Sequence, residues 1–88
     1  MTYAVLFRRA AKKALERLSQ IPRQRIKEAI RGLQNIPIPV GCRQLHTEEG
    51  KYYRIRVGQY RVIYEVAHEI RIVTVMRVGH RRKVYRGL

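Results

Sequence analysis

The segment between residues 51 and 78 decides what this chain can fold into. Three runs, residues 51–57, 60–67 and 70–78, are dense in Tyr, Ile and Val and alternate with period two. Only Gly58-Gln59 and His68-Glu69 interrupt them, and breaks this short predict hairpins, hence an antiparallel meander. Upstream the period changes. Residues 3–7 alternate aromatic and aliphatic side chains and read as a short strand. From Arg8 the spacing becomes helical: Ala11, Ala14, Leu15 and Leu18 share one face, with Arg9, Lys12, Lys13, Glu16 and Arg17 opposite. That helix is expected to stop near Ser19-Gln20. Pro22 suits the first turn of a second helix. Its stripe is Ile26, Ala29, Ile30 and Leu33, with Arg23, Arg25, Lys27 and Arg31 facing water. The tight connection predicts an antiparallel helical hairpin.

Pro37, Pro39 and Gly41 make residues 35–41 a loop. Residues 43–46 form a short strand or an extended approach, Glu48-Glu49-Gly50 is a turn, and residues 79–88 are a basic, irregular tail. The expected fold is therefore α+β and two-layered. It has an N-terminal strand, a helical hairpin and an antiparallel meander of three to four strands, with the helices over one face of the sheet. All 88 residues are expected to form a single domain.

Charge narrows the function. Lys and Arg number 20 against 6 acids, a net charge of +14, and 15 of the 20 are Arg. A surface so basic calls for a polyanion or an acidic protein partner. One cysteine, Cys42, excludes an internal disulfide and gives no zinc site; it reads as a small apolar filler, and a reducing cytosol is the natural compartment. No apolar run reaches the ~20 residues of a membrane span. The apolar opening is too brief for a signal peptide. The basic run over residues 8–13 reads as a solvated helix face rather than a membrane contact. Six scattered Glu make two-carboxylate chemistry a poor fit.

Strand parity then selects residues. Arg54 and Arg56 share one face of their strand, while Tyr53, Ile55 and Val57 take the other. In the next strand Arg61, Ile63 and Glu65 oppose Tyr60, Val62, Tyr64 and Val66. In the last, Arg71, Val73, Val75 and Arg77 oppose Ile70, Ile72, Thr74, Met76 and Val78. The apolar sets belong against the helices, which puts Arg54, Arg56 and Arg61 together on the second face. Like charges across adjacent strands destabilise a sheet, and an anion among them relieves it. His80, Arg81, Arg82, Lys83 and Tyr85 follow the final strand and are placed to join this face. Tyr85 beside Arg81 and Lys83 suits stacking on an unpaired base. His80, with an unperturbed pKa near 6.5, is a candidate for proton transfer and equally an ordinary turn residue. His46 and His68 read as loop residues.

Several segments together resemble the RelE/ParE superfamily of bacterial toxin–antitoxin toxins. They are the opening strand and helix, the loop Pro37-Ile38-Pro39-Val40-Gly41 leading to Leu45, and Tyr53-Arg54-Ile55-Arg56-Val57-Gly58. The most specific are Gln59-Tyr60-Arg61-Val62-Ile63-Tyr64-Glu65-Val66 and Val78-Gly79-His80-Arg81-Arg82-Lys83-Val84-Tyr85. The RelE-like branch is favoured. The resemblance implies a compact antiparallel sheet flanked by an N-terminal helical hairpin, and an endoribonuclease that cuts mRNA in the ribosomal A site. ParE-like members instead poison DNA gyrase, which is the alternative.

By the same resemblance, Arg61, Arg81 and Tyr85 are active-site residues, with Arg54, Arg56, Arg82 and Lys83 holding phosphate and RNA. Arg54 and Arg56 stand where the best-studied pattern has lysines. A guanidinium stays protonated, so neither is a general base, and His80 is the candidate for that part. The reaction implied is attack of a ribose 2′-OH on the adjacent phosphate, leaving a 2′,3′-cyclic phosphate and a 5′-OH, with no metal or other cofactor. The partners implied are a cognate acidic antitoxin, the ribosome and its mRNA, and a toxin–antitoxin hetero-oligomer on operator DNA, but no membrane. The site is cytoplasmic.

Overall fold

The computed structural model describes residues 2–87. Met1 and Leu88, the latter part of the expected tail, lie outside the described residues. The chain runs β1 (Ala4–Phe7), α1 (Arg9–Glu16), α2 (Gln20–Gly32), β2 (Arg43–Thr47), β3 (Gly50–Val57), β4 (Tyr60–Ala67) and β5 (Ile72–His80). All five strands join one sheet in the order β1-β5-β4-β3-β2. The meander over β2 to β5 is antiparallel, as expected. β1 adds at the far edge in parallel with β5, Ala4 opposite Ile72 and Phe7 opposite Val75.

The helical hairpin is tighter than its periodicity suggests. α1 ends at Glu16, short of the expected stop near Ser19-Gln20. The Leu18 N–H bonds the Leu15 carbonyl at 3.2 Å, closing the last turn. Ser19 is already extended as the residue that opens α2 (φ −65°, ψ 163°). Pro22 then falls among the first-turn residues whose N–H groups have no intrahelical acceptor, so its missing donor costs nothing there.

Both helical stripes face the sheet. Ala11 and Leu15 from α1, and Ile26, Ile30 and Leu33 from the second helix and its end, pack on Tyr53, Ile55, Val62, Tyr64, Val73, Val75 and Val78. Each large side chain buried this way contributes about 1.5–3 kcal/mol. Tyr64 is fully buried, yet its hydroxyl is satisfied, donating to the Pro37 carbonyl at 2.7 Å. That bond pins the proline loop to the core. Cys42 is a free, half-buried thiol packed against the same core.

Two expectations for the last strand are corrected. Ile70 and Arg71 belong to the turn over residues 68–71, not to the strand, and Arg71 takes a left-handed conformation (φ 56°). Val73 and Val75 lie in the helix-facing core, not on the second face with Arg77. Met76, expected against the helices, packs on the second face. The cause is an irregularity in the β4–β5 ladder. Ile63 pairs with Arg77 and Tyr64 with Val75, so two residues of β5 oppose one of β4 and a simple alternation fails.

The second face is not bare. Tyr52, Ile63 and Val84 form a small separate core there, with Leu45 and Met76 against it. Val84 is the one apolar residue of the run Arg81-Arg82-Lys83-Val84-Tyr85-Arg86, and it is only 5% exposed. The tail therefore folds back over the sheet instead of trailing from it.

Candidate active site

Two short turns bring the arginines together. The Gly58-Gln59 turn, with Gly58 at φ 59°, sets β3 against β4 so that Arg56 lies opposite Arg61 and Arg54 opposite Ile63. Arg54, Arg56 and Arg61 thus share the second face, with neighbours along a strand about 7 Å apart. The Glu48-Glu49 turn adds a residue that parity within β3 and β4 could not find. It places Arg43 opposite Arg54. Counting back from that turn gives the pairing, so the signal was present in the sequence.

These guanidinium groups are held differently. Arg61 bends back on the turn, donating from Nη1 to the carbonyls of Gly58 (3.0 Å) and Tyr60 (2.9 Å). Arg56 is exposed. Arg54 is 9% exposed; its Nη1 donates to the Tyr85 hydroxyl at 3.3 Å. Its Nε is buried and has no hydrogen-bond partner among the described residues. A buried charged donor without an acceptor costs a kcal/mol or more, on the order of 1–3. An anion at Arg54 would remove that cost.

The tail supplies the rest. The Arg81 N–H bonds the Gln59 carbonyl at 2.9 Å, fixing the start of the tail to the turn that Arg61 grips. Tyr85 puts its hydroxyl on Arg54 while its ring stays 36% exposed. Arg81, Arg82 and Lys83 are exposed. Arg77, which carried no role in the sequence reading, donates from Nη1 to the carbonyls of Val84 and Arg86.

His80 stands apart. It pairs with Tyr60, whose side chain shares the helix-facing side with Val62 and Tyr64. The His80 and Tyr60 rings meet edge to face, 6.1 Å between centroids. Its Nδ1 accepts from the Arg82 N–H at 3.3 Å, which leaves the proton of the neutral ring on Nε2. The two loop histidines have partners: His46 Nε2 lies 2.9 Å from Gln44 Nε2, and His68 Nδ1 lies 2.9 Å from the Tyr3 hydroxyl.

Near Arg54, the Tyr52 hydroxyl donates to Glu49 Oε2 at 3.1 Å. Burial holds this phenol above its ordinary pKa, with the Glu49 and Glu65 carboxylates adding to the rise and Arg8 opposing it. What the face offers is therefore cationic hydrogen-bond donors at fixed spacing, one of them buried and short of an acceptor, beside an exposed aromatic ring. That arrangement suits a phosphodiester with an adjoining base.

The sheet order, the helical hairpin and the C-terminal segment laid over a basic face define a RelE-like fold. The chain belongs to the ParE toxin family of type II toxin–antitoxin systems: residues 5–85 match the family described as "ParE toxin of type II toxin-antitoxin system, parDE". It is 32% identical to toxin RelG of Mycobacterium tuberculosis over 87 residues, which is 98% of this chain and 99% of that one. The crystal structure of the RelE–RelB complex from the archaeon Pyrococcus horikoshii superposes with a TM-score of 0.81 at 28% identity, covering 96% of this chain and all of the other. The RelBE2 toxin–antitoxin complex of M. tuberculosis gives 0.79 at 29% identity, covering 92% of this chain and all of the other. The protein is thus a RelE-like toxin of a type II toxin–antitoxin system. Among the described residues, no helix is long and apolar enough to cross a membrane.

Proposed function

We propose that this toxin is a ribosome-dependent mRNA endoribonuclease of the cytoplasm. The observation that carries the reading is Arg54: a buried guanidinium whose Nε lacks an acceptor among the described residues and whose Nη1 meets Tyr85. A scissile phosphate would pair with the Arg54 guanidinium once its buried Nε is uncovered, while Arg61 and Arg56 approach from the neighbouring positions. As the 2′-OH attacks, negative charge grows on the phosphoryl oxygens, and cations already in place stabilise it without reorganising. Tyr85 would stack on a flanking base. Arg81, Arg82 and Lys83 would bind the RNA backbone, with Arg81 on the leaving-group side.

His80 fits donation better than abstraction. With Nδ1 accepting from the Arg82 amide, the neutral ring has no free lone pair for the 2′-OH proton; protonated on both nitrogens it would release that amide and, as an imidazolium, deliver its Nε2 proton to the leaving 5′-oxygen. The arginine face holds no matched acid and base pair, so we assign in-line positioning of the 2′-OH to the ribosome. A protein of charge +14 would be steered to that polyanion with strong salt dependence. The antitoxin partner would be acidic where it wraps the toxin, and the pair would assemble as a hetero-oligomer on operator DNA.

The test is primer extension on a defined mRNA, on programmed ribosomes and on free RNA, with Arg81→Ala beside the wild type. A-site cuts that vanish in the variant are expected. Equally fast cutting of free RNA would overturn ribosome dependence, and intact mRNA throughout would overturn the nuclease. The match to a ParE toxin family leaves a second reading: poisoning of DNA gyrase without cleavage of RNA, the activity that the sequence resemblance implies for ParE-like members. Trapping of gyrase–DNA cleavage complexes by the same preparation would support it.

A further inference from the structure

Four of the last described residues carry positive charge, Arg81, Arg82, Lys83 and Arg86, and they lie against a face built of arginines. Like charges should drive this tail off the sheet. Its own hydrogen bonds do not prevent that. The amides of Lys83 and Val84 bond the His80 carbonyl, and that of Arg86 bonds the Lys83 carbonyl, so these links shape the segment without anchoring it. The Arg81–Gln59 bond anchors only its start. Among the described residues, two side chains of the sheet hydrogen-bond the end of the tail: Arg54 to Tyr85, and Arg77 to the backbone.

We propose that Arg77 is the positioning residue of the candidate site, holding the tail so that Tyr85 stays on Arg54. The two carbonyls it binds, those of Val84 and Arg86, bracket Tyr85 in sequence. A guanidinium donating to two carbonyls fixes the backbone on both sides of the tyrosine, and the charge strengthens both bonds. Gly87, in the left-handed conformation (φ 77°), passes beside the same guanidinium.

Pairing with Ile63 aims this side chain, and the irregular ladder sets Met76 beside it. With two residues of β5 set against Ile63, Met76 and Arg77 both turn toward the tail. Met76 enters the small core under Val84, and Arg77 reaches across to the carbonyls. In a regular ladder neighbouring residues would point to opposite faces, and one of these two contacts would be lost. Arg77 touches no reacting atom in this arrangement; it acts through Tyr85.

Hydrogen–deuterium exchange of the full chain tests the hold, comparing wild type with Arg77→Met, which keeps the apolar stem, and Arg77→Lys, which keeps a charged donor. In Arg77→Met the amides of Lys83, Val84 and Arg86 should exchange about tenfold faster or more, with those of β3 and β4 unchanged. Arg77→Lys should restore most of the protection. Tail exchange equal to wild type in Arg77→Met overturns the proposal. If Arg77→Met loosens the sheet as well, Arg77→Lys decides alone: faster tail exchange with the sheet intact supports the hold, and wild-type exchange overturns it.

The catalytic consequence rests on the nuclease reading. On programmed ribosomes Arg77→Met should lower kcat about tenfold while the half-saturating ribosome concentration moves less than about threefold. An unchanged kcat with a loosened tail would overturn the positioning role. If the wild type cuts no mRNA, the nuclease reading falls, and exchange still decides whether Arg77 holds the tail.

Discussion

The two faces of the sheet are made from the same strands and solve opposite problems. On the helix side the buried core of the described residues is aliphatic side chains and tyrosines, and the hydroxyl of the fully buried Tyr64 is paired. On the other side a small core of Tyr52, Ile63 and Val84 adjoins Arg54, whose buried Nε has no partner among the described residues. One face converts burial into stability. The other, on the proposed function, gives up some stability to keep donors unspent for an anion. On that reading, the demands of folding and of binding divide a single β-layer between its two faces.

Substitutions that tell the faces apart test this division. The largest stability loss belongs to the helix side. Ile26→Ala should cost about 2–5 kcal/mol in urea unfolding and leave cleavage per folded molecule unchanged. Arg54→Met should do the reverse. It removes a buried, under-satisfied charge, so stability should stay level or rise, while cleavage falls about 100-fold, roughly 2.7 kcal/mol of transition-state stabilisation. An Arg54→Met protein that unfolds readily would erase the distinction between the faces. Val84→Ala should cost a smaller ~1–2 kcal/mol, felt first as faster proteolysis of the tail.

The gentlest contrast is in pH. Burial raises the phenols of Tyr52 and Tyr64 above 10.0. The folded state then holds protons that the unfolded chain has released. Stability is full below about pH 10 and is lost as pH rises beyond it. Tyr64, deep in the helix-side core, should dominate. Tyr64→Phe should flatten the alkaline fall in melting temperature more than Tyr52→Phe does.

Much of this division is legible in the residues, and its failures have one physical source. Helical spacing at Ala11, Leu15, Ile26, Ile30 and Leu33 reports burial directly. Two-residue turns carry register, which is why the shared face of Arg54, Arg56 and Arg61 was readable, and why Arg43 was within reach. A bulge leaves no mark in composition. Reading period two straight through Met76 and Arg77 put Val73 and Val75 on the wrong side and Met76 under the helices, although Arg77 itself fell on its true face. In the sequence the docking of the tail shows only as a single valine among cations, a signal too small to show as periodicity. The face that His80 occupies follows from register with Tyr60, not from its sequence neighbours.

The parallel pairing of β1 with β5 has a consequence in time. Hairpins joined by two-residue turns close quickly, whereas bringing Ala4 to Ile72 means closing a loop of about three quarters of the chain. The meander is therefore expected to assemble first and the N-terminal strand, with its helices, to dock late. During refolding, the arginines of the central strands would be aligned before the core beneath them is sealed, and an acidic partner could engage the protein while it is still finishing its fold.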